Sequence, residues 1–280
     1  MKIGLYANTS NERAVSVREK LAAAAAKLGL TVVTQLNTAD AVVCLGGDGT
    51  ILRAVHEFPL MPLLGFNLGG LGYLATVEEK SFLPALRMLA KGLYTISPRT
   101  MLSAGKRKKE FSALNDIAVL PEQSGHAVVL DVASDGRAVT RYMADGLVIA
   151  TPTGSTAYSL AAGGPVLMPD VGVVVVTPLN PHALGSRPVV MRDTVRLEVT
   201  LRAREGHKAG RVGVYCDGVK RFDLSEDESA QFRLASLTAR FIELDGYDPY
   251  ETLAKKLGWT GSTIPTSEKA AKRRRARPHL

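Results

Sequence analysis

The chain of 280 residues has only two cysteines, Cys44 and Cys216. Each ends an apolar run and neither sits in a metal-ligand spacing, which argues against both secretion and a structural zinc site. No apolar run approaches the roughly 20 residues needed to cross a bilayer, and Met1-Lys2-Ile3-Gly4-Leu5-Tyr6 enters structure without room for a signal peptide. The expectation is a soluble cytoplasmic protein. Two nucleotide-binding fingerprints are also missing. There is no G-x-x-x-x-G-K-[ST] string, which excludes P-loop chemistry, and the first strand leads into Asn8-Thr9-Ser10-Asn11, which is not a G-x-G-x-x-G turn. No internal repeat recurs at a fixed period.

What is present is a globular composition, 46% hydrophobic and 22% charged, long enough to bury about 75% of the unfolded chain's surface. The net charge of +8 is localised. Residues 266–280 carry six cations against Glu268, and Lys106-Arg107-Lys108-Lys109 adds four more, so the rest of the chain sums to −1. The tail reads as a solvated basic extension and the internal cluster as a charged hairpin tip, which makes nucleic acid an unlikely partner.

The first 94 residues alternate strand and helix. Lys2 to Ala7, Leu30 to Gln35, Ala39 to Leu45 and Pro62 to Asn67 are strand-like; Asn11 to Leu28, Thr50 to Phe58 and Glu78 to Lys91 are helical. This order predicts a doubly wound parallel α/β domain over 1–94. From residue 95 to 248 short β-rich runs follow one another, among them Tyr94 to Ser103, Lys109 to Leu120, Gly146 to Ala150 and Ala239 to Leu244. Turn signals such as Ser134-Asp135-Gly136 and Asp217-Gly218 separate them, so this half reads as all-β. A last helix from Pro249 within 249–265 is expected to return to the first domain, ahead of the tail at 266–280.

Three segments carry chemistry. In Cys44-Leu45-Gly46-Gly47-Asp48-Gly49-Thr50 a hydrophobic strand ends in a glycine turn that opens a helix, a natural cradle for phosphate. Asp48 is the odd element there, because a carboxylate repels phosphate unless it holds a metal or takes a proton from a nucleophile; otherwise it caps the helix. A second glycine turn, Asn67-Leu68-Gly69-Gly70-Leu71-Gly72-Tyr73, follows the next strand and would project from the same sheet edge. Thr151-Pro152-Thr153-Gly154-Ser155-Thr156-Ala157-Tyr158-Ser159 then places five further hydroxyls and a tyrosine at a strand end, a donor density suited to ribose, amide and phosphate. Asn115-Asp116, within the strand-like Ala113 to Leu120, puts an amide and a carboxylate where apolar residues are expected; they could accept from a ribose diol or equally cap a bulge.

Together, Gly46 to Thr50, Asn67-x-Gly69-x-Leu71-Gly72-Tyr73-Leu74, Leu114-Asn115-Asp116, Asp145-Gly146 and Thr151 to Ser159 resemble the NAD kinase family in order and spacing from about Ile3 to Leu257. The first motif is shared with phosphofructokinases and with diacylglycerol and sphingosine kinases. The Thr-Pro-Thr-Gly-Ser-Thr-Ala-Tyr-Ser string below an Asn-Asp pair is the specific one. The resemblance implies an N-terminal α/β domain, a C-terminal β-sandwich, and NAD bound between them while a phosphate from ATP or polyphosphate passes to the 2′-hydroxyl of its adenosine ribose. It makes Asp48 the general base, and Gly47, Gly49, Thr50, Arg53, Asn67 and Gly69 its neighbours at the nucleotide. Asn115, Asp116, Asp145, His126 and Thr156, Ala157, Tyr158, Ser159 and Ala161 become NAD contacts. Mg²⁺ and a homo-oligomer, dimeric or tetrameric, are implied with them. Leu68 stands where the family usually has a polar or basic residue, and Val219 where a glutamine is common. A lipid kinase shares the first turn but would need an apolar cleft, and a non-catalytic NAD sensor would gain nothing from Asp48.

Overall fold

The computed structural model describes residues 1–259 apart from 71, 124, 205 and 207–209; the basic tail anticipated at 266–280 lies outside the described residues. The chain begins with β1 (Lys2–Ala7), α1 (Glu12–Lys27), β2 (Thr31–Val33), β3 (Ala41–Leu45), α2 (Asp48–Glu57), β4 (Pro62–Asn67), β5 (Val77–Glu78), α3 (Phe82–Ala90) and β6 (Tyr94–Arg99). It continues through β7 (Leu102–Lys106), β8 (Lys109–Ala113), β9 (Asp116–Pro121), β10 (Val128–Ser134), β11 (Arg137–Ala144), β12 (Gly146–Ala150) and the single turn α4 (Tyr158–Ala161). Strands β13 (Val173–Leu179), β14 (Val189–Arg192), β15 (Leu197–Arg202), β16 (Val212–Cys216), β17 (Val219–Leu224), β18 (Ser229–Leu234) and β19 (Ala239–Leu244) follow, and α5 (Pro249–Lys256) ends the described fold.

The N-terminal sheet has the order β2-β1-β3-β4-β19-β6, with β5 added beside β4. Its strands are parallel except β6, which runs antiparallel to β19. All five residues of β3 are buried, as a central parallel strand covered on both faces requires. Alternate residues serve opposite layers. Ala41, Val43 and Leu45 join Leu21 of α1 and Leu86 of α3 in one cluster, while Val42 and Cys44 meet Ile51, Ala54 and Val55 of α2 in another. Asn11 and Asp248, each accepting a backbone amide, cap α1 and α5, and Pro249 opens α5 where its missing N–H costs nothing.

The C-terminal half is a sandwich of two antiparallel six-stranded sheets, ordered β11-β10-β15-β18-β7-β8 and β14-β13-β12-β9-β16-β17. Leu102, Leu130, Val199 and Phe232 from the first pack against Ile117, Leu147, Val174 and Val214 from the second. Lys106 and Lys109 close the β7–β8 hairpin, so the basic cluster is the expected hairpin tip. Asp217 and Gly218, both at positive φ, turn β16 into β17.

Three differences from the sequence reading concern where strands go. The run Tyr94 to Ser103 is two strands in different sheets. β6 and β19, both read as part of the β-rich half at 95–248 or its border, belong to the N-terminal sheet, so the first domain is assembled from both ends of the chain. Asn115 does not lie inside a strand: Leu114 and Asn115 form a bend between β8 and β9, and Asp116 starts β9. Among the described residues no helix is long and apolar enough to cross a membrane.

Candidate active site between the two domains

β3 and β4 end side by side, so the two glycine turns leave the same edge of the parallel sheet, where open α/β folds bind ligands. Gly47 is the N-cap of α2 and supplies no side-chain cap, which leaves the first amides of that helix free for an anion. Asp48 does not cap it either. Its Oδ2 accepts from the Tyr73 amide at 2.9 Å, and its Oδ1 accepts from the amides of Leu74 and Ala75 at 3.0 Å each. The carboxylate therefore clasps the second glycine turn to the first. Gly72 permits the approach, since a Cβ there would lie 2.1 Å from Asp48 Oδ1. An ionised carboxylate has about four acceptor positions. Three are occupied, and the one left open is on Oδ2.

The second turn is organised by Asn67, buried at the end of β4. Its amide nitrogen donates to the carbonyls of Gly70 at 2.7 Å and Ala75 at 3.3 Å, while its oxygen accepts from the Gly69 amide at 2.7 Å. Asn67 thus shapes the loop from inside. Thr50 is buried, Gly49 is exposed beside Asp48, and Arg53 is exposed on α2, near the Tyr6–Glu57 hydrogen bond. Leu68 points into the core below the sheet, which suits an apolar residue at that position.

The opposite wall is the Leu114–Asp116 bend. Leu114 packs with Ile51, Ala54 and Val55 of α2 and with Leu74 and Ala75, so one apolar cluster joins both glycine turns to this bend. Asp116 is buried, and its carboxyl is pushed up to about 7, chiefly by desolvation and then by the charge of Asp217, against a hydrogen bond from the Tyr158 amide. The Tyr158 side chain is exposed, and its pKa is raised by partial burial and by the charges of Asp116 and Asp145. Asp145 accepts from Asn180 Nδ2 at 3.0 Å and shares a groove of about 800 Å³ with His126 and His182.

The hydroxyl array is placed differently from the sequence reading. Thr151, Ser155 and Ser159 are fully buried. Thr151 Oγ1 donates to the Leu114 carbonyl at 2.6 Å and accepts from the Gly154 amide at 3.0 Å. Ser155 Oγ donates to the Pro152 carbonyl at 2.7 Å and accepts from the Leu167 amide at 2.9 Å. Ser159 pairs with Thr177 at 3.0 Å, and Thr156 donates to the Thr153 carbonyl at 3.2 Å. Thr151 ties the loop to the bend below it, Ser155, Thr156 and Ser159 tie it to its own turn and to β13, and Thr153 Oγ1 is buried without a partner among the described residues; what the loop presents outward is the exposed Tyr158 and Ala161 with the half-buried Thr156 and Ala157. Ser159 offers no free hydroxyl to a ligand.

Two residues absent from the sequence reading of the site hold it together. Asp217, whose side chain is only 2% exposed, accepts from the amides of Leu114, Asn115 and Asp116 at 2.7, 2.8 and 3.2 Å. His56, in the last turn of α2, reaches the same carboxylate at 2.8 Å. Asp217 was visible only as half of a turn signal, and 161 residues separate the pair.

Comparison with known proteins gives this geometry its family. Residues 30–94 match a family model described as the ATP-NAD kinase N-terminal domain, and residues 114–244 one described as the ATP-NAD kinase C-terminal domain. The chain is 38% identical over 222 residues to an NAD kinase of Protochlamydia amoebophila, covering 78% of each. It is 34% identical over 281 residues to one of Chlorobium luteolum, covering 92% of this chain and 97% of that one. Among solved structures it resembles an NAD kinase from Archaeoglobus fulgidus in complex with ATP, with a TM-score of 0.78 and 25% identity over 93% of this chain and all of that one. The fold also matches yeast NADH kinase complexed with NADH, with a TM-score of 0.79 at 24% identity over 95% and 90% of the two chains. Two glycine turns on one sheet edge, a carboxylate between them and a β-sandwich across the cleft are therefore the parts of a phosphotransferase acting on NAD, and the chain belongs to the NAD kinase family.

Proposed function

We propose that Asp48 is the general base of this NAD kinase, taking the proton of the adenosine-ribose 2′-hydroxyl as that oxygen attacks the γ-phosphorus of ATP. The bond from phosphorus to the β–γ bridging oxygen breaks, ADP leaves, and the proton resides on Asp48 Oδ2. The observation that carries this reading is the single open acceptor position on Oδ2, held beside the free amides at the start of α2. A ribose hydroxyl is a poor nucleophile near neutrality, and a fixed acceptor within hydrogen-bond reach supplies what it lacks. The uncapped amides at the start of α2 receive the phosphate charge. Asn115, Asp116 and Tyr158 hold NAD at the facing wall, with Asp145 and His126 on the groove beyond it.

ATP is the donor of choice, supported by the ATP complex of the Archaeoglobus relative. Among the described residues no group of three His, Cys, Asp or Glu side chains is placed to hold a metal. We infer that Mg²⁺ enters with the triphosphate, where it would offset charge on the transferring phosphoryl group. The two unpaired buried cysteines suit the cytoplasm as compartment. The homodimer or homotetramer that the family resemblance implies is read by sedimentation.

The test is NADP formation from NAD, ATP and Mg²⁺ by the wild type and by Asp48→Asn, with polyphosphate as a second donor and NAD binding measured directly. Asp48→Asn should lose at least about a hundredfold in kcat, within the range general-base removal costs, while retaining NAD. Near-normal turnover in a variant that still binds NAD would remove Asp48 from the base role.

A further inference from the structure

We infer that Asp217 and His56 form a positioning pair that fixes helix α2, and with it Asp48, against the NAD-holding bend at Leu114–Asp116. The inference rests on the roles proposed above for Asp48 and for that bend.

Asp217 is a carboxylate with nothing left to give. Oδ1 accepts from the Asn115 and Asp116 amides, and Oδ2 accepts from the Leu114 amide and from His56 Nε2. Four donors fill the approximately four acceptor positions of the ionised group, so it can neither receive a proton from substrate nor hold a ribose hydroxyl. Because a carboxylate only accepts, His56 must carry its proton on Nε2. The backbone repeats the attachment, since the Asp217 amide donates to the Asp116 carbonyl at 3.0 Å. Three successive amides wrapped round one buried charge fix the bend's conformation, and with it the direction in which Asn115 and Asp116 leave the chain.

His56 carries that order to the other domain. It lies eight residues after Asp48 on the same helix, about 12 Å along its axis at 1.5 Å per residue. The rest of the contact between α2 and the bend is apolar, Ile51, Ala54 and Val55 against Leu114. Apolar contact is non-directional and permits small slides and rotations. One hydrogen bond of 2.8 Å at the far end of the helix removes that freedom, so the open position on Asp48 is held in line with whatever the bend binds.

The pair is tested with His56→Ala, His56→Leu and His56→Gln in the full chain, measuring kcat, KM for NAD and thermal unfolding. Gln can donate an amide N–H to Asp217, whereas Ala and Leu cannot, and Leu keeps the volume should Ala fail to fold. Ala and Leu should lower kcat about tenfold with KM for NAD changed less than about twofold, a loss in the range expected of sub-ångström misalignment. Gln should recover most of it. Asp217→Asn, with one acceptor oxygen for three amides, should instead raise KM for NAD about tenfold, as loss of ground-state binding does. Unchanged kcat in folded His56→Leu, or a Gln variant no better than Leu, would overturn the inference. Asp48→Asn in the same assay separates the two readings. If it abolishes turnover while His56→Leu does not, only the positioning role falls; if it turns over normally, the base role falls.

Discussion

Two glycines of this site separate packing from binding, and Gly154 is the sharper. A Cβ at Gly154 would lie 1.9 Å from the Asn115 carbonyl oxygen, 2.2 Å from its carbon and 2.5 Å from its Cα. All three are backbone atoms, so no side chain can swing away. The same carbonyl accepts from the Thr151 amide at 2.9 Å, and Thr151 Oγ1 donates to the adjoining Leu114 carbonyl at 2.6 Å, so relief of the clash pulls the 151–154 turn off the Leu114–Asp116 bend. Overpacking of this kind costs about 1–3 kcal/mol, and weakening two buried hydrogen bonds adds about 1 kcal/mol each. Gly154→Ala should therefore lose about 3–5 kcal/mol in urea unfolding, and at temperatures where it remains folded its KM for NAD should rise. Gly47→Ala is the contrast. A Cβ there meets nothing within 4 Å and the backbone is already extended, so stability should stay within about 0.5 kcal/mol. Its methyl would instead stand where the phosphate-facing amides are presented, and turnover should fall. The reasoning is refuted if Gly154→Ala is as stable as wild type, or if Gly47→Ala turns over like wild type.

Asp116 predicts a pH dependence. Its carboxyl ionises near 7 in the fold and near 3.8 in the unfolded chain, so from pH 4 to 7 the unfolded state releases a proton that the folded state keeps. Stability should fall as pH rises through that window, by at most about 4 kcal/mol, and Asp116→Asn should flatten the slope in denaturant titrations. If the ionised group accepts from a ribose hydroxyl, KM for NAD should fall as pH rises through 7; a pH-independent KM would place Asp116 outside the binding contacts. Ser155→Ala leaves the part-buried Leu167 amide without its partner and should cost about 1–2 kcal/mol, with kcat/KM intact because the hydroxyl faces inward. A large kinetic loss at unchanged stability would contradict that placement.

The βαβ order, the edge carrying both glycine turns and the position of Asp48 were legible because each is written in contiguous residues: a buried strand, a glycine turn, a helix. Sheet membership was not. Tyr94–Arg99 and Ala239–Leu244 have ordinary strand composition, and nothing local in them states that Arg240 pairs with Pro62, far back in the chain. Val219–Leu224 escaped notice as a strand because three of its six residues are charged, so an edge strand looked like loop. The Thr151 to Ser159 segment was recognisable as part of the site, but residue type does not tell which way a hydroxyl points. That is decided by the tight turn at 153–156, which faces Ser155 inward. His56 and Asp217 are joined only in space, and no periodicity or spacing links them.

The two carboxylates that matter most use one device for two ends. Asp48 binds three successive amides, 73–75, and Asp217 binds three successive amides, 114–116, so each wall of the cleft is a stretch of backbone folded round a negative charge. A backbone held this way has few conformations left, which suits a site whose work is alignment and charge stabilisation more than covalent chemistry. The difference lies in the fourth position. On Asp217 it is filled by His56, and the group becomes pure scaffold. On Asp48 it is open, so the carboxylate that builds the loop also keeps one lone pair unoccupied, as the proposed base role requires. Asp48→Asn would remove both at once, which is why its kinetics need NAD binding measured beside them, and why His56→Leu, touching neither the Asp48 lone pair nor its loop and checked by His56→Gln, is the cleaner probe of alignment.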